Sequence, residues 1–268
     1  MSILDRIRRP ALPAGVTARP FECSRDGLTI RGTEYRPATD AACPIAVVCH
    51  GFMAFQDTVR QYAALLAGLG YAAYTFDFCG GSVIKGQSDG ATTAMSVRTE
   101  VRDLEAVLDH VRALPGNDPE RLLLMGCSQG GLVAALVAAG GRFPVEKLVL
   151  FYPALCIPDD ARAGRMMLAR FDPDHIPDTL RCGPMKLGRC YVEDVIGMDP
   201  YAEIAGYRGP VLLVHGTRDR IVAPAYSRRA KALYGDRAAL HWIRGGGHGF
   251  SAAHDAEAME LLRTFARL

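Results

Sequence analysis

The sequence predicts an α/β fold, in which a mostly parallel central sheet is covered by helices on both faces. Short apolar runs alternate with longer segments of helical pattern, which is typical of repeated βα units. The run IAVVCH (45–50) is continuous and rich in β-branched residues, as expected for a strand buried on both faces. Residues 96–114 instead repeat apolar side chains at helical spacing, so one stripe of that helix should face the sheet.

The individual elements follow in chain order. The predicted strands are 28–37, 45–50, 71–77, 121–125, 147–153, 210–216 and 238–243. The predicted helices are 59–69, 96–114, 129–139, 224–234 and 253–267. The first of these strands shows period-two alternation, which favours an antiparallel strand with one face in solvent.

One segment interrupts this alternation. Residues 154–205 are rich in Pro, Asp, Arg and Met and contain no apolar run long enough for a strand. Long insertions of this kind commonly form lids or binding loops. We therefore expect a core of residues 1–153 and 206–268, with 154–205 as an inserted lid that has no sheet of its own. A surface excursion without a role is the alternative.

Composition and charge exclude several classes of function. The chain has 268 residues, of which 49% are hydrophobic, and its formal net charge is only +2. Because it carries no long basic run, we expect neither nucleic acid nor a membrane surface as a partner. The longest apolar runs are too short to cross a bilayer, and the N-terminus lacks the apolar core of an export signal. The eight cysteines include no C-x-x-C pair, so we expect a cytoplasmic protein without a metal site, whose thiols pack in the core.

A glycine-framed turn carries the first sign of chemistry. Gly126-Cys127-Ser128-Gln129-Gly130 fits the pattern G-x-S-x-G and lies between a predicted strand and a predicted helix. In such a nucleophile elbow the serine projects above the sheet from a strained backbone, framed by very small residues. This context favours Ser128 as the nucleophile over the simpler interpretation of a helix-capping serine. Cys127 is expected to pack beside the turn.

A serine needs a base to accept its proton, and the base needs an acid to orient it. His248 lies in the loop RGGGHGF, between the last predicted strand and the last predicted helix. Asp219 lies just after the predicted strand 210–216 and gives the order Ser, Asp, His along the chain. Asp236 is the competing acid, but its turn is remote from the carboxyl end of a strand. We therefore predict Ser128, Asp219 and His248 as the catalytic residues.

The oxyanion that forms when the serine attacks needs two N–H donors. The backbone N–H of Gln129 is fixed by the elbow and by the start of the helix. The second donor should come from the loop after strand 45–50, where Phe52 follows a His-Gly pair. We predict the N–H groups of Phe52 and Gln129 as the oxyanion hole.

Several short motifs stand along the chain: HGF (50–52), FDFCGGS (76–82), GCSQGG (126–131), PDHIPD (173–178), VHGTRD (214–219) and GGHGF (246–250). Together they resemble the α/β-hydrolase superfamily, and within it the bacterial cinnamoyl (feruloyl) esterases and close carboxylesterases. The resemblance runs from about residue 25 to the C-terminus, and PDHIPD in the insertion points to the subfamily. It implies an α/β-hydrolase fold that hydrolyses carboxylic esters through an acyl-serine, without a metal or organic cofactor. The substrate would be a small-molecule ester with a short acyl or hydroxycinnamoyl group.

The resemblance also implies a substrate pocket walled by the insertion. By position, Asp160 and Tyr191 match the Asp and Tyr that bond phenolic hydroxyls in such esterases, and Met167 stands where some relatives carry Gln. Alternatively, Asp160 is only a surface carboxylate and Tyr191 only a packing aromatic. An acyltransferase, a peptidase and a non-catalytic ligand-binding module with the same fold stay open, as does a homodimer.

Overall fold

The computed structural model describes residues 11–82 and 87–267. The strands are β1 (Val16–Arg25), β2 (Leu28–Pro37), β3 (Cys43–Cys49), β4 (Ala72–Phe76), β5 (Asn117–Cys127), β6 (Val145–Phe151), β7 (Arg165–Met166), β8 (Ala169–Arg170), β9 (Thr179–Cys182), β10 (Met185–Gly188), β11 (Val211–Gly216) and β12 (Ala238–Ile243). The helices are α1 (Arg60–Ala67), α2 (Val97–Arg112), α3 (Gln129–Ala139), α4 (Ile157–Arg162), α5 (Arg189–Ile196), α6 (Pro200–Ile204), α7 (Pro224–Tyr234) and α8 (Ala252–Arg267). Most of the N-terminal segment on which the expectation of no export signal depends lies outside the described residues.

Eight of the strands form one sheet in the order β1-β2-β4-β3-β5-β6-β11-β12. All neighbouring pairs from β4 to β12 are parallel, whereas β2 is antiparallel to both β1 and β4. The prediction of a mostly parallel sheet is therefore confirmed. The strand β1 is not among the predicted strands, because mostly exposed polar residues and Pro20 obscure its alternation, yet it pairs with β2 along its whole length.

The central strands contribute alternate residues to two cores, one on each face of the sheet. Ile45 and Val47 of β3 belong to the core that includes α2 and α3. Ala46 and Val48 belong to the core that includes α1 and α8. Helices therefore cover both faces, as predicted. None of the described helices is long and apolar enough to span a membrane.

Residues 154–205 add no strand to the eight-stranded sheet. They form α4, α5, α6 and two separate hairpins, β7–β8 and β9–β10. The expectation that this segment has no sheet of its own is wrong in that respect. The strands of these hairpins are only two to four residues long, so a search for apolar runs cannot detect them.

The carboxyl ends of the parallel strands meet at one edge of the sheet. The loops after β3, β5, β11 and β12 carry Phe52, Ser128, Asp219 and His248, respectively. Ligands of open α/β sheets bind at this edge. The topology therefore brings four of the predicted site residues to one place, although they are far apart in the sequence.

Candidate active site

The nucleophile elbow lies between β5 and α3. Ser128 is the single residue between them, with φ 54° and ψ −122°, a strained conformation for a residue other than glycine. A Cβ at Gly126 would lie 2.1 Å from the carbonyl oxygen of Gly130. A Cβ at Gly130 would lie 2.2 Å from the carbonyl oxygen of His50. Because no side chain fits either position, both glycines are needed to present Ser128 at the edge of the sheet.

Ser128, His248 and Asp219 form a continuous chain of hydrogen bonds. The distance from Ser128 Oγ to His248 Nε2 is 2.9 Å, and the distance from His248 Nδ1 to Asp219 Oδ2 is 2.8 Å. Since the carboxylate can only accept, Nδ1 donates to it, and Nε2 is left to accept the proton of the serine. This is the geometry that a serine nucleophile and its general base require.

The loops that carry Asp219 and His248 are bonded to each other. The N–H of Arg218 donates to the carbonyl oxygen of Gly246 (2.8 Å), and the N–H of Gly245 donates to Thr217 Oγ1 (2.9 Å). Asp236, the competing acid, lies in a short turn directly before β12, at the opposite end of the parallel strands. The structure therefore brings Asp219, and not Asp236, to the histidine.

The carboxylate of Asp219 is buried and fully engaged. Its Oδ1 accepts from the N–H groups of Ile221 and Val222, both at 2.9 Å, and its Oδ2 lies near two imidazoles, those of His248 and His215. Burial alone would raise the pKa of Asp219, but the hydrogen bonds from His215 and His248 outweigh it and hold the pKa well below the usual range. In the described part of the chain, no group of three or more His, Cys, Asp or Glu is arranged to hold a metal ion.

The loop after β3 lies directly against the elbow. A Cβ at Gly51 would be 2.9 Å from Ser128 Cβ, so this glycine allows the backbone at Phe52 to approach the serine. His50 holds the loop: its Nδ1–H donates to the carbonyl oxygen of Gly51 (2.8 Å), and its Nε2 accepts from the N–H of Phe78 (3.2 Å). Burial lowers the pKa of His50, which favours the neutral ring that this pattern needs.

The two N–H groups predicted for the oxyanion hole are both available. Gln129 is the first residue of α3, and the first N–H groups of a helix have no partner within it. Among the described residues, no protein group accepts from the N–H of Phe52. Gln129 directly follows Ser128, and Gly51, the residue before Phe52, lies against the serine, so both N–H groups remain candidates for the oxyanion hole.

Cys127, the residue before the nucleophile, belongs to the core on the α1 and α8 face of the sheet and is only 3% exposed. It therefore packs beside the turn, as predicted.

A cavity of about 440 Å³ opens beside Ser128. Its lining residues come from the elbow, the β3 loop, the acid loop and, for the larger part, the insertion. They are Phe52, Ser128, Gln129, Ala154, Cys156, Ile157, Asp160, Arg165, Met166, Met167, Leu168, Tyr191, Arg220, Ile221 and Val222. The rings of Phe52 and Tyr191 lie 5.9 Å apart. The cavity thus offers an aromatic and aliphatic wall next to the nucleophile.

The structure places all three predicted substrate-binding residues on this cavity. Tyr191 is buried, and its hydroxyl donates to Gln129 Oε1 at 2.5 Å. Asp160 is paired with Arg165, whose Nε lies 3.1 Å from Oδ1. Met167 lies at the turn between β7 and β8, where it is 43% exposed. Sequence reasoning did not foresee the Arg165 partner of Asp160 or the bond between Tyr191 and the elbow.

The mouth of the cavity carries exposed apolar side chains. The large hydrophobic side chains exposed in the described part of the chain are Met167, Leu168, Ile221 and Trp242, and the first three line this cavity. Exposed apolar groups that cluster around one opening are a feature of sites for apolar ligands.

A buried carboxylic acid lies behind the elbow. Glu100 of α2 is 1% exposed, and its Oε2 has no hydrogen-bond partner among the described residues. Burial raises the pKa of Glu100 to about 8, against a smaller opposing effect of a hydrogen bond from the side chain of Gln129. The side chain of Gln129 therefore lies between this acid and the hydroxyl of Tyr191.

A mostly parallel sheet whose carboxyl edge presents a strained serine, an aspartate and a histidine from the loops after β5, β11 and β12 defines an α/β hydrolase. The chain belongs to the hydrolase family described as serine aminopeptidase, S33, whose family model matches residues 40–187, more than half of its length.

Solved structures and curated proteins that are similar to the chain were also found. The chain is similar to Est1E from Butyrivibrio proteoclasticus with ferulic acid bound, with 27% identity, coverage of 91% of this chain and 97% of that one, and a TM-score of 0.84. It is 24% identical over 245 residues to an uncharacterized protein of Mycobacterium tuberculosis. That alignment covers 90% of this chain and 76% of the relative. It is also 29% identical over 99 residues to the quorum-quenching protein AidA of Acinetobacter baumannii. That match covers 36% of this chain and only 31% of the relative.

Proposed function

We propose that the protein is a carboxylesterase that hydrolyses short acyl or hydroxycinnamoyl esters through an acyl-serine intermediate. The observation that carries this proposal is the hydrogen-bond chain from Ser128 through His248 to Asp219, which ends at an apolar cavity. Membership of a hydrolase family and the likeness to Est1E support it.

In the acylation step, His248 Nε2 takes the proton of Ser128 Oγ while Oγ attacks the ester carbonyl carbon. The carbonyl oxygen becomes an oxyanion and accepts hydrogen bonds from the N–H groups of Phe52 and Gln129. Asp219 stabilises the imidazolium. The bond to the alcohol oxygen then breaks, and His248 gives its proton to the leaving alcohol.

In the deacylation step, a water molecule replaces the alcohol. His248 takes one proton from the water, whose oxygen attacks the acyl carbon. The second oxyanion collapses, the bond to Ser128 Oγ breaks, and His248 returns the proton to the serine. The products are the free acid and the unmodified enzyme, so the cycle consumes only ester and water.

The insertion at 154–205 is proposed as the lid that selects the acyl group. It supplies most of the cavity lining, including Tyr191 and Asp160. The hydroxyl of Tyr191 and the carboxylate of Asp160 can each bond a phenolic hydroxyl, which favours hydroxycinnamoyl groups; the ferulic acid bound by Est1E supports the same choice. Met167 offers no such hydrogen bond.

A serine aminopeptidase is the second candidate, because that is the description of the family. An aminopeptidase has to hold the free ammonium group of its substrate, usually beside a carboxylate. The acidic side chain lining the cavity, Asp160, is already paired with Arg165. The apolar mouth and this neutralised carboxylate therefore favour an ester over a peptide.

The test compares four substrates on the wild-type protein and on Ser128→Ala. p-Nitrophenyl butyrate, methyl ferulate and methyl caffeate report ester hydrolysis, and leucine p-nitroanilide reports aminopeptidase activity. We expect ester turnover that Ser128→Ala reduces to background. Activity on the anilide alone would favour the aminopeptidase, and wild-type rates equal to those of Ser128→Ala on every substrate would favour a non-catalytic module.

A further inference from the structure

A second histidine, besides His248, contacts the acid of the triad. His215 lies in β11, is fully buried, and places its Nε2 3.2 Å from Asp219 Oδ2 and 3.0 Å from the carbonyl oxygen of Val222. Its Nδ1 lies 2.7 Å from Ser227 Oγ, at the start of α7. Every nitrogen of this ring therefore has a polar partner in the protein interior.

The partners fix which nitrogen carries the proton. Both groups that face Nε2 are acceptors, a carboxylate oxygen and a backbone carbonyl, so Nε2 must carry the hydrogen. In the neutral ring Nδ1 is then an acceptor, and the hydroxyl of Ser227 donates to it. Ser227 is itself fully buried, so its hydroxyl has no water to turn to.

We propose that His215 is a positioning residue of the triad, which holds the Asp219 carboxylate and its loop in the orientation that His248 requires. This inference rests on the proposed function, because it is tested by the rate of ester hydrolysis. It does not depend on which ester is the natural substrate.

Two contacts give His215 this role. It bonds the carboxylate directly, and through Val222 it also bonds the backbone of the loop that carries the acid. The N–H of Val222 bonds the other oxygen of the same carboxylate, so carboxylate, loop and imidazole form one closed set of hydrogen bonds. Without the ring, Asp219 Oδ1 keeps its two backbone N–H donors, but Oδ2, the oxygen that orients His248, keeps only the bond from His248 itself.

The fixed orientation matters for the reaction. The proton transfer from Ser128 requires His248 to keep its tautomer and its alignment, both of which depend on the Asp219 oxygen. A displacement of the carboxylate therefore lowers the rate of the chemical step. His215 itself does not line the cavity, and of its partners only Val222 does, so we expect the change in kcat to exceed the change in KM.

The test measures kcat and KM for p-nitrophenyl butyrate, with kcat expressed per serine titrated by a fluorophosphonate. In His215→Leu we expect kcat to fall about tenfold to a hundredfold, as for the loss of a hydrogen bond to a charged group, with KM within about twofold of wild type. His215→Gln, whose amide nitrogen can reach the position of Nε2, should keep kcat within about fivefold of wild type. His241→Leu, an exposed histidine of the neighbouring strand β12, is the matched control and should leave both constants unchanged.

Two results would overturn the inference. One is a folded His215→Leu protein with wild-type kcat; the other is a His215→Gln protein that loses as much kcat as His215→Leu, since the ring would then only fill space. If His215→Leu does not fold, Ser227→Ala tests the proposal instead, because it removes the hydrogen bond to Nδ1 and keeps the ring. We expect Ser227→Ala to have a lower kcat than wild type. An unchanged kcat contradicts the proposal. If the protein hydrolyses none of the esters, the rate at which the fluorophosphonate labels Ser128 gives the same comparison. Failure of the substrate class and failure of the inference are thus separate results.

Discussion

Replacing Glu100 by glutamine is expected to change how the stability of the protein depends on pH. The Glu100 side chain is buried in α2 behind the elbow, and its Oε2 has no partner among the described residues. Burial raises the pKa of Glu100 from 4.5 to about 8, a nearby Asp103 acts in the same direction, and the hydrogen bond from Gln129 only partly offsets them. The folded protein therefore holds a proton on this group that the unfolded chain releases near pH 4.5.

The sign and size of the effect follow from this difference. The folded state binds the proton of Glu100 more tightly than the unfolded state does. Below about pH 4 both states are protonated, so Glu100 adds no free-energy cost to folding. This cost grows as the pH rises towards 8. At about 1.36 kcal/mol for each unit of pKa, the penalty is on the order of 3 kcal/mol at pH 7 and 5 kcal/mol well above pH 8. Glutamine keeps the shape of the side chain but cannot ionise. Its NH₂ group costs about 1–3 kcal/mol if it finds no acceptor, and that cost is the same at every pH.

The assay is urea unfolding of both proteins, followed by circular dichroism at pH 5, 6, 7 and 8. We expect the free energy of unfolding of Glu100→Gln, relative to wild type, to rise by about 3–4 kcal/mol from pH 5 to pH 8. Glu105→Gln is the matched control, because Glu105 lies on the same helix but is partly exposed beside Arg142, where ion pairs contribute about 0–1 kcal/mol. A difference between wild type and Glu100→Gln that stays constant from pH 5 to pH 8 would refute the reasoning.

Three further predictions concern turnover. Since His248 must be neutral to accept the serine proton, kcat/KM should fall as the pH is lowered. A value of kcat/KM that stays constant down to pH 5 contradicts the assignment of the base. Phe52→Pro removes the N–H of the predicted oxyanion hole and should lower kcat about 10²- to 10³-fold compared with Phe52→Leu, which keeps it. Equal rates of these two variants would show that Phe52 N–H is not a donor. Tyr191→Phe should lower kcat/KM for methyl caffeate about tenfold and leave that for p-nitrophenyl butyrate nearly unchanged; an equal loss on both esters would mean that the hydroxyl acts through Gln129 instead of on the substrate.

The sheet and the elbow could be predicted because their constraints are local. Strand β3 is buried on both faces, so its whole run had to be apolar, and this is visible in five or six letters of sequence. The elbow needs Gly126 and Gly130 because any Cβ there would lie within 2.2 Å of a carbonyl oxygen. The sequence therefore has to carry glycine two residues before and two residues after the serine. By contrast, β1 has one polar, exposed face and a proline, so its pairing with β2 left little trace in its composition.

Glu100 shows a signal that was present in the sequence and not used. It lies three residues after Val97 and four before Leu104, which places it on the apolar stripe of α2. An acidic residue at such a position has to be either paired or protonated. His215 offers no comparable signal. Its contact with Asp219 depends on how the loop after β11 turns back. The sequence pattern of a buried strand is the same whether or not its histidine reaches a carboxylate.

The acyl specificity depends on a different kind of information from the reaction. The chain of bonds from Ser128 to Asp219 is set by strand ends whose order follows from the topology, so three residues and their spacing are enough to propose the reaction. The cavity is lined mainly by the insertion, where the pairing of Asp160 with Arg165 and the bond from Tyr191 to Gln129 join residues by packing alone. Each of these contacts engages a polar group that a phenolic hydroxyl would have to share. A change in the partner of Asp160 therefore alters the choice of substrate while the triad stays the same, and Arg165→Gln should raise activity on methyl caffeate relative to p-nitrophenyl butyrate. If that ratio does not change, Asp160 does not contact the acyl group.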